Sequence, residues 1–388
     1  MVVKILHTAD NHLDPRATLY RHKIDERRKD FWKAFEKVLK YAEVHKPDIF
    51  LIAGDLYDRV NPRNPPRALL MKYFRHLHDL GIRTFVIGGH HDTPRSVEEG
   101  ASPIEELAAA GYVTFFRSIR EADAEVLKVS DLEVCVSGIT YNFSLRPGED
   151  PLSRVRVPLE GDVNILMLHH TIEGFTPTFR QEEPVVRVES IPKGLHYVAA
   201  GHIHRHQKRS IGSTVIAYSG STERKSFSEE GDEEKGFLWV EIDEEGVKGV
   251  RFISVPTRPM KTADYTLTKG VRDPVGEIVR FALKYADKDL IMRLRIKGKV
   301  PLEVLSKYRR DEILRRLLDK FFAIVIDDEA LEYMPITIIS SIERLSPLKA
   351  FISYMDELIE KEEDDKRKKV LEKAKELGSR IIEEEGGW

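Results

Sequence analysis

Five apolar runs in this sequence end in carboxylates or imidazoles. VVKILHT leads into Asp10-Asn11-His12, IFLIA into Gly54-Asp55, and TFVIG into Gly89-His90-His91-Asp92. VNILML leads into His169-His170, and HYVAA into Gly201-His202-Ile203-His204. In α/β sheets ligands gather beyond the carboxyl ends of the strands, so chemistry is expected at these termini. They offer nitrogen and oxygen donors, with no nucleophilic serine or cysteine in a comparable spot. Such donors suit manganese, zinc, iron or nickel, and there are enough of them for two ions. Any one of these histidines, taken alone, reads as a packing residue. Five clusters in this order, each at a strand terminus, point to a dinuclear site. On these grounds the pair His90-His91 stays open between packing, half of a metal site and an acid catalyst.

The elements that must position these groups follow from hydrophobic period. VVKILHTAD, PDIFLIAGD and RTFVIGG read as buried strands. Between them, residues 25–46 place Phe31, Phe35, Val38, Leu39 and Ala42 at helical spacing. Pro65 and Pro66 open a second helix with Leu69, Leu70, Tyr73, Phe74 and Leu77 on one side. The order β-α-β-α-β implies a parallel sheet covered by helices. The middle of the chain is rich in strands, down to a hairpin from KGFLWVEID to VKGVRFISV. VPTRPM, residues 255–260, reads as a linker into a smaller α/β segment. Helices are expected there near 274–286 and 302–320, with strands at IMRLRIKG and FFAIVID. From about 340 the pattern is helical: Leu345, Leu348, Ile352, Met355 and Ile359 form one stripe, and Val370, Ala374, Leu377 and Ile381 another.

A chain of 388 residues implies two or three domains. Hydrophobic content of 41% beside 33% charged residues reads as a soluble globular protein. No apolar run approaches the ~20 residues of a membrane span. The single cysteine, Cys135, cannot pair within the chain, and the start lacks a secretory pattern, so a cytoplasmic protein is expected. A net charge of −3 gives no global basic signature. Nucleic-acid binding would need a local basic surface or metal ions to neutralise phosphate.

ADNHL, GDLYD, GGHHD, LHH and GHIH resemble the calcineurin-like metallophosphoesterase motifs Asp-x-His, Gly-Asp, Gly-Asn-His-Asp/Glu, His and Gly-His-x-His. Within that superfamily the chain looks like the double-strand-break-repair nucleases, meiotic recombination eleven and its bacterial counterpart SbcD. YSGSTERKSF and VPTRPM are similar to two further stretches of that family. The likeness is strong over residues 1–260 and rests on order and size beyond them.

The resemblance implies an α/β fold: a sandwich of two mixed sheets flanked by helices, with a smaller α/β capping domain and C-terminal helices. The corresponding divisions are 1–258 for the nuclease, 259–335 for the DNA-binding cap and 336–388 for a helical region. It implies two divalent ions, manganese being expected. Asp10, His12 and His204 would hold one and His169 and His202 the other, with Asp55 bridging. His91 would serve the leaving group and Asp92 would fix its tautomer. His90 stands where the family has an asparagine ligand. Its Nδ1 is two bonds from Cβ, as the amide oxygen is, so ligation by His90 is expected. His170 is expected to pack behind the site. Asp58, Arg224 and Lys225 are candidates for substrate contact, with a turn-capping role equally open for Asp58. The implied partners are DNA, a Rad-fifty-type ABC ATPase gripped through its coiled coil by the terminal helices, and a second copy of the chain. Leu69, Leu70, Ile104 and Leu107 are expected at that homodimer interface. The implied activity is DNA hydrolysis, exonuclease on duplex ends and endonuclease on single strands. Two rivals share the motifs: a phosphoesterase acting on nucleotides or phosphoproteins, and a DNA-end scaffold weakened by His90.

Overall fold

The structure, a computed structural model, describes residues 2–16, 22–176, 182–231, 234–334 and 346–384. The chain forms two compact units, Met1–Glu332 and Tyr333–Trp388. In the first unit a six-stranded sheet runs, edge to edge, Gly246–Val255, Lys235–Asp243, Val3–Thr8, Ile49–Ala53, Arg83–Ile87, Thr114–Phe116. The strands Val3–Thr8, Ile49–Ala53 and Arg83–Ile87 pair in parallel, as the β-α-β-α-β order requires. A second six-stranded sheet runs Gln207–Ile211, Thr214–Tyr218, Tyr197–Ala200, Val163–Leu168, Leu132–Gly138, Asp123–Val129. Both sheets mix parallel and antiparallel pairs.

Burial on both faces explains the unbroken apolar runs. Along Ile49–Ala53, Ile49 and Leu51 join Ile5, Phe85, Val136, Ile165 and Ala199 in the core between the sheets. Phe50 and Ile52 face the other way, into a core with Phe35 and Val38 of helix Ile24–His45 and Phe74 of helix Asn64–Asp79. A strand covered on both sides needs no polar face. The second core also takes in Leu70, Ile104 and Leu107, which are buried. Three of the four residues expected at a dimer face are therefore spent inside the chain's own core. Leu69 alone of the four is exposed.

His7 is a polar intrusion between the sheets. It is fully buried, with Nδ1 2.8 Å from the hydroxyl of Tyr197 on the opposite sheet. Burial, and then the neighbouring His206, push its pKa down to about 3. An unfolded chain protonates there near about 6.5. Between the two values the unfolded state binds the extra proton, so His7 costs stability as pH falls. His7→Asn is expected to flatten the dependence of unfolding free energy on pH between about 4 and 6 by up to ~1.4 kcal/mol per pH unit. Chemical denaturation across that range checks this, and an unchanged slope would mean that His7 titrates normally in the folded chain.

Past residue 258 a separate four-stranded sheet contains Met260–Thr266, Asp287–Val300, Phe321–Asp327 and Leu331–Tyr333. It has its own core, including Ile278, Leu294, Ile313 and Leu317. The single helix expected over 302–320 is two short ones, Leu302–Leu305 and Arg310–Leu317. Arg258 of VPTRPM ties this segment to the sandwich. Its guanidinium bonds Asp30 at 2.8 and 3.0 Å and Asp289 at 2.9 Å, and lies 3.6 Å from the Phe322 ring centre. The expected boundary at 335 and the stripe residue Leu345 lie outside the described residues.

The second unit contains two helices, Pro347–Lys361 and Asp365–Glu384. Ser346 caps the first through its hydroxyl. Gly378 faces the Phe351 ring, where a Cβ would collide, so the helices approach closely. Met355 is buried, while Tyr354, Val370, Leu377 and Ile381 remain exposed. No helix among the described residues is long and apolar enough to cross a membrane.

Candidate metal centre

The predicted clusters sit just past the carboxyl ends of the parallel strands, and their backbone is bent to do so. Asp10, His12, Asp55 and His202 all have positive φ, at 52°, 46°, 52° and 90°. Few non-glycine residues adopt such angles, and they concentrate where function demands them. Gly54 and Gly89 flank this turn of chain because a Cβ on the first would strike His169, and on the second Asp55.

Three groups of donor atoms result: Asp10, His12 and His204 form one, Asp10, Asp55 and His169 a second, and His12, Asp58 and His91 a third. His12 Nε2 and His204 Nε2 face each other at 3.0 Å, and Asp10 Oδ1 lies 3.8 Å from His204 Nε2. Asp55 Oδ2 lies between the first two, 3.7 Å from His12 Nε2 and 3.3 Å from His169 Nε2. The other oxygen of Asp55 accepts from the His91 amide at 2.7 Å. His169 Nε2 is buried without a hydrogen-bond partner. Two ring nitrogens pointed at each other, and a third facing a buried carboxylate without a well-formed hydrogen bond, are costly, because buried polar atoms are normally satisfied. The donor set fits divalent cations, which would take the lone pairs of His12 and His204 and replace the proton on His169. Burial opposes charge on His169, yet Asp55 and then Asp10 hold its pKa up to about 9. That preference for a positive neighbour is what a cation between the carboxylates would satisfy.

The remote nitrogens are held by oxygens. His12 Nδ1 is 3.3 Å from Asp58 Oδ1, His169 Nδ1 donates to the Ala53 carbonyl at 2.7 Å, and His204 Nδ1 is 3.0 Å from Glu229 Oε1. Such partners fix which nitrogen points inward. His202 is turned differently. Its amide donates to both oxygens of Asp10, at 3.1 and 3.0 Å, while its Nε2 pairs with Glu183 at 2.6 Å.

His90 and His202 both lie outside these donor groups. The His90 ring stands 5.2 Å from those of Tyr141, Phe143 and His91 and 6.3 Å from that of His202, and burial first among causes pushes its pKa down to about 4. Two expectations change, those for Asp92 and Arg224. Asp92 does not orient His91. It is fully buried and accepts from the amides of Gly89 at 2.7 Å and Tyr57 at 3.2 Å, which closes the GGHHD turn. The carbonyl of Asp58 takes that place, 3.2 Å from His91 Nδ1. Asp58 is itself buried and accepts from the Arg16 amide at 3.0 Å, the capping role left open for it. Arg224 is not a surface cation: its guanidinium bonds the carbonyls of Glu229 and Gly231 and the Thr257 hydroxyl. His170 stacks on Tyr141 at 4.8 Å, a packing position.

His91 and Lys225 do meet. Lys225 Nζ lies 3.0 Å from His91 Nε2 and 2.7 Å from Asp58 Oδ1. Both line a cleft of about 800 Å³ with His90, Asp58 and Arg95. Glu229 and Glu183 were not anticipated. Neither lies in a motif, and only the fold brings them to the histidines.

The family model for calcineurin-like phosphoesterase matches residues 3–206, a span that contains every residue of the donor groups and stops short of Lys225 and Glu229. Three archaeal relatives carry the name DNA double-strand break repair protein Mre11. That of Methanocaldococcus jannaschii is 27% identical over 361 residues, covering 90% of this chain and 89% of the relative. That of Thermoplasma acidophilum is 27% identical, over 78% of this chain and 79% of the relative. That of Sulfolobus acidocaldarius is 25% identical, over 81% and 78%.

Proposed function

Because the chain belongs to the calcineurin-like phosphoesterase family, we propose that it is a two-metal DNA nuclease of double-strand-break repair. The observation that carries the chemistry is Asp55 Oδ2 lying between His12 Nε2 and His169 Nε2, where one carboxylate spans two sites. The DNA assignment rests on relatives named for double-strand-break repair that align along most of their own length.

In this reading Asp10, His12 and His204 would hold one ion, His90, His169 and His202 the other, with Asp55 shared between them, and manganese is the ion used. Two such ions, when bound, would supply charge to stabilise the phosphate oxygens and would lower the pKa of a water for in-line attack. Asp10 and Asp55 orient the donors and neutralise the excess positive charge. Lys225 places its ammonium against the scissile phosphate from the cleft side. His91 keeps Nδ1 on the Asp58 carbonyl and, in its protonated form, presents Nε2–H to the leaving oxygen, to which it delivers that proton; burial lowers its pKa, so the proton is readily given up. Residues 259–335 shape the DNA groove, with the basic strand residues Arg293, Arg295 and Lys297 on the cap's long strand Asp287–Val300. The terminal helices, on which Tyr354, Val370, Leu377 and Ile381 are exposed, engage the Rad-fifty-type ABC ATPase. A homodimer across the face of Asn64–Asp79, where Leu69 stays exposed, belongs to the same proposal.

A manganese-supplemented assay on defined duplex, hairpin and single-stranded DNA, run beside small phosphomonoesters and nucleotides, tests the reading. Cleavage of duplex ends and single strands is expected, with little turnover of the small esters. Turnover of small esters alone would make the chain a phosphatase. Metal uptake and DNA binding without any cleavage would leave a scaffold.

A further inference from the structure

Four histidines of the site differ in which nitrogen is tied down. His12, His169 and His204 are each held at Nδ1 by an oxygen and turn Nε2 inward. His202 is held at Nε2, by Glu183 Oε2 at 2.6 Å. Nδ1 is therefore the only nitrogen His202 has left for a cation.

Glu183 is held firmly enough to impose this. Its other oxygen accepts from the Thr171 hydroxyl, and its carbonyl accepts from the Gly148 amide at 3.1 Å. Thr171 follows His169-His170 and pairs in register with Val185, so the two-stranded ladder Thr171–Ile172 with Val185–Val186 lays Glu183 beside the site. The carboxylate is 18% exposed and the His202 side chain 13%, so water competes weakly for the bond.

We infer that Glu183 is a positioning residue for the second cation, accepting the Nε2 proton of His202 so that unprotonated Nδ1 is presented to the ion. The inference rests on the two-metal reading above. A carboxylate behind the ligand strengthens its basicity toward the ion.

The experiment is manganese(II) titration calorimetry on metal-free full-length protein, with Glu183→Ala and Glu183→Gln variants. Glu183→Ala should weaken the second equivalent about 10–100-fold, the usual size for such outer partners, and leave the first unchanged. The untouched first equivalent also shows that the variant folds. Glu183→Gln should recover most of the loss, because its amide oxygen still accepts from Nε2. The second readout needs no metal. Nitrogen-15 chemical shifts should show His202 protonated at Nε2 in the unaltered protein and a mixture of tautomers in Glu183→Ala. An Nδ1-protonated His202 in the unaltered protein, or an undiminished second equivalent in Glu183→Ala, overturns the inference. Uptake of a single equivalent by the unaltered protein defeats the two-metal reading instead, and the tautomer then decides the role of Glu183.

Discussion

His91→Ser is expected to keep both metal equivalents and to lose DNA cleavage by about 100-fold or more, the range of a general-acid contribution. The geometry sets up a direct contest between two roles. His91, His12 and Asp58 present ligand atoms close enough together to hold an ion, so His91 has the position to act as a ligand. Against that, His12 already turns Nε2 toward His204 and leaves Nδ1 to Asp58, and Asp58 also pairs with Lys225 at 2.7 Å. A cation at this third group would sit against the Lys225 ammonium, a like-charge contact in a poorly solvated place. An anion there would meet Lys225 Nζ and His91 Nε2 together, 3.0 Å apart. The group therefore suits a phosphate better than a metal. The measurements are metal content of the purified variant and its single-turnover cleavage rate under saturating manganese. Loss of one equivalent on substitution would move His91 into the ligand set and refute the acid role. Because Asp58 rather than Asp92 contacts the ring, Asp92 variants should act through folding of the GGHHD turn and not through the chemistry.

Much of this was legible in the sequence because each motif sits where a regular element ends. A strand buried on both faces is an apolar run, and the polar residues after it must lie at the sheet's end. That logic placed Asp10, His12, Asp55, His169 and His204 together without structural information. What it could not supply were contacts between segments far apart in the chain. Glu229 and Glu183 are ordinary acidic residues in acidic stretches, and nothing in SFSEE or RQEEP separates them from their neighbours. Arg224 looked like a loop cation because its burial depends on carbonyls that the local sequence does not reveal. The strand Asp123–Val129 was not anticipated because it is an edge strand with one buried residue, Leu127. Its weak alternation carries little hydrophobic signal.

Glu229→Ala is expected to destabilise the chain by about 3–5 kcal/mol, the cost of leaving one member of a buried ion pair alone. Glu229 and Lys235 both have side chains only 2% exposed, and they meet at 2.6 Å. Lys235 also donates to the His204 carbonyl at 2.8 Å, while Glu229 accepts from the Ser221 hydroxyl at 3.1 Å and the Lys225 amide at 3.1 Å. Burial works against the Glu229 charge, but His204 and then Lys235 hold its pKa far below the usual carboxylate range. The carboxylate therefore does two separable things: it neutralises Lys235 and it orients His204. Pairing Glu229→Leu with Lys235→Met should separate them. With both charges gone no ion is stranded, and replacing a buried pair by apolar residues of similar size is often neutral or better, so much of the stability should return. His204 Nδ1 would still lack its acceptor, so affinity for the first metal equivalent should stay about 10-fold or more below that of the unaltered protein. Denaturant unfolding of the metal-free forms and manganese titration of each would follow the two effects independently. If the double replacement restores metal affinity along with stability, Glu229 serves only as the counter-charge of Lys235. If stability stays low while metal binding is normal, the pair matters to the fold alone and His204 needs no partner behind it.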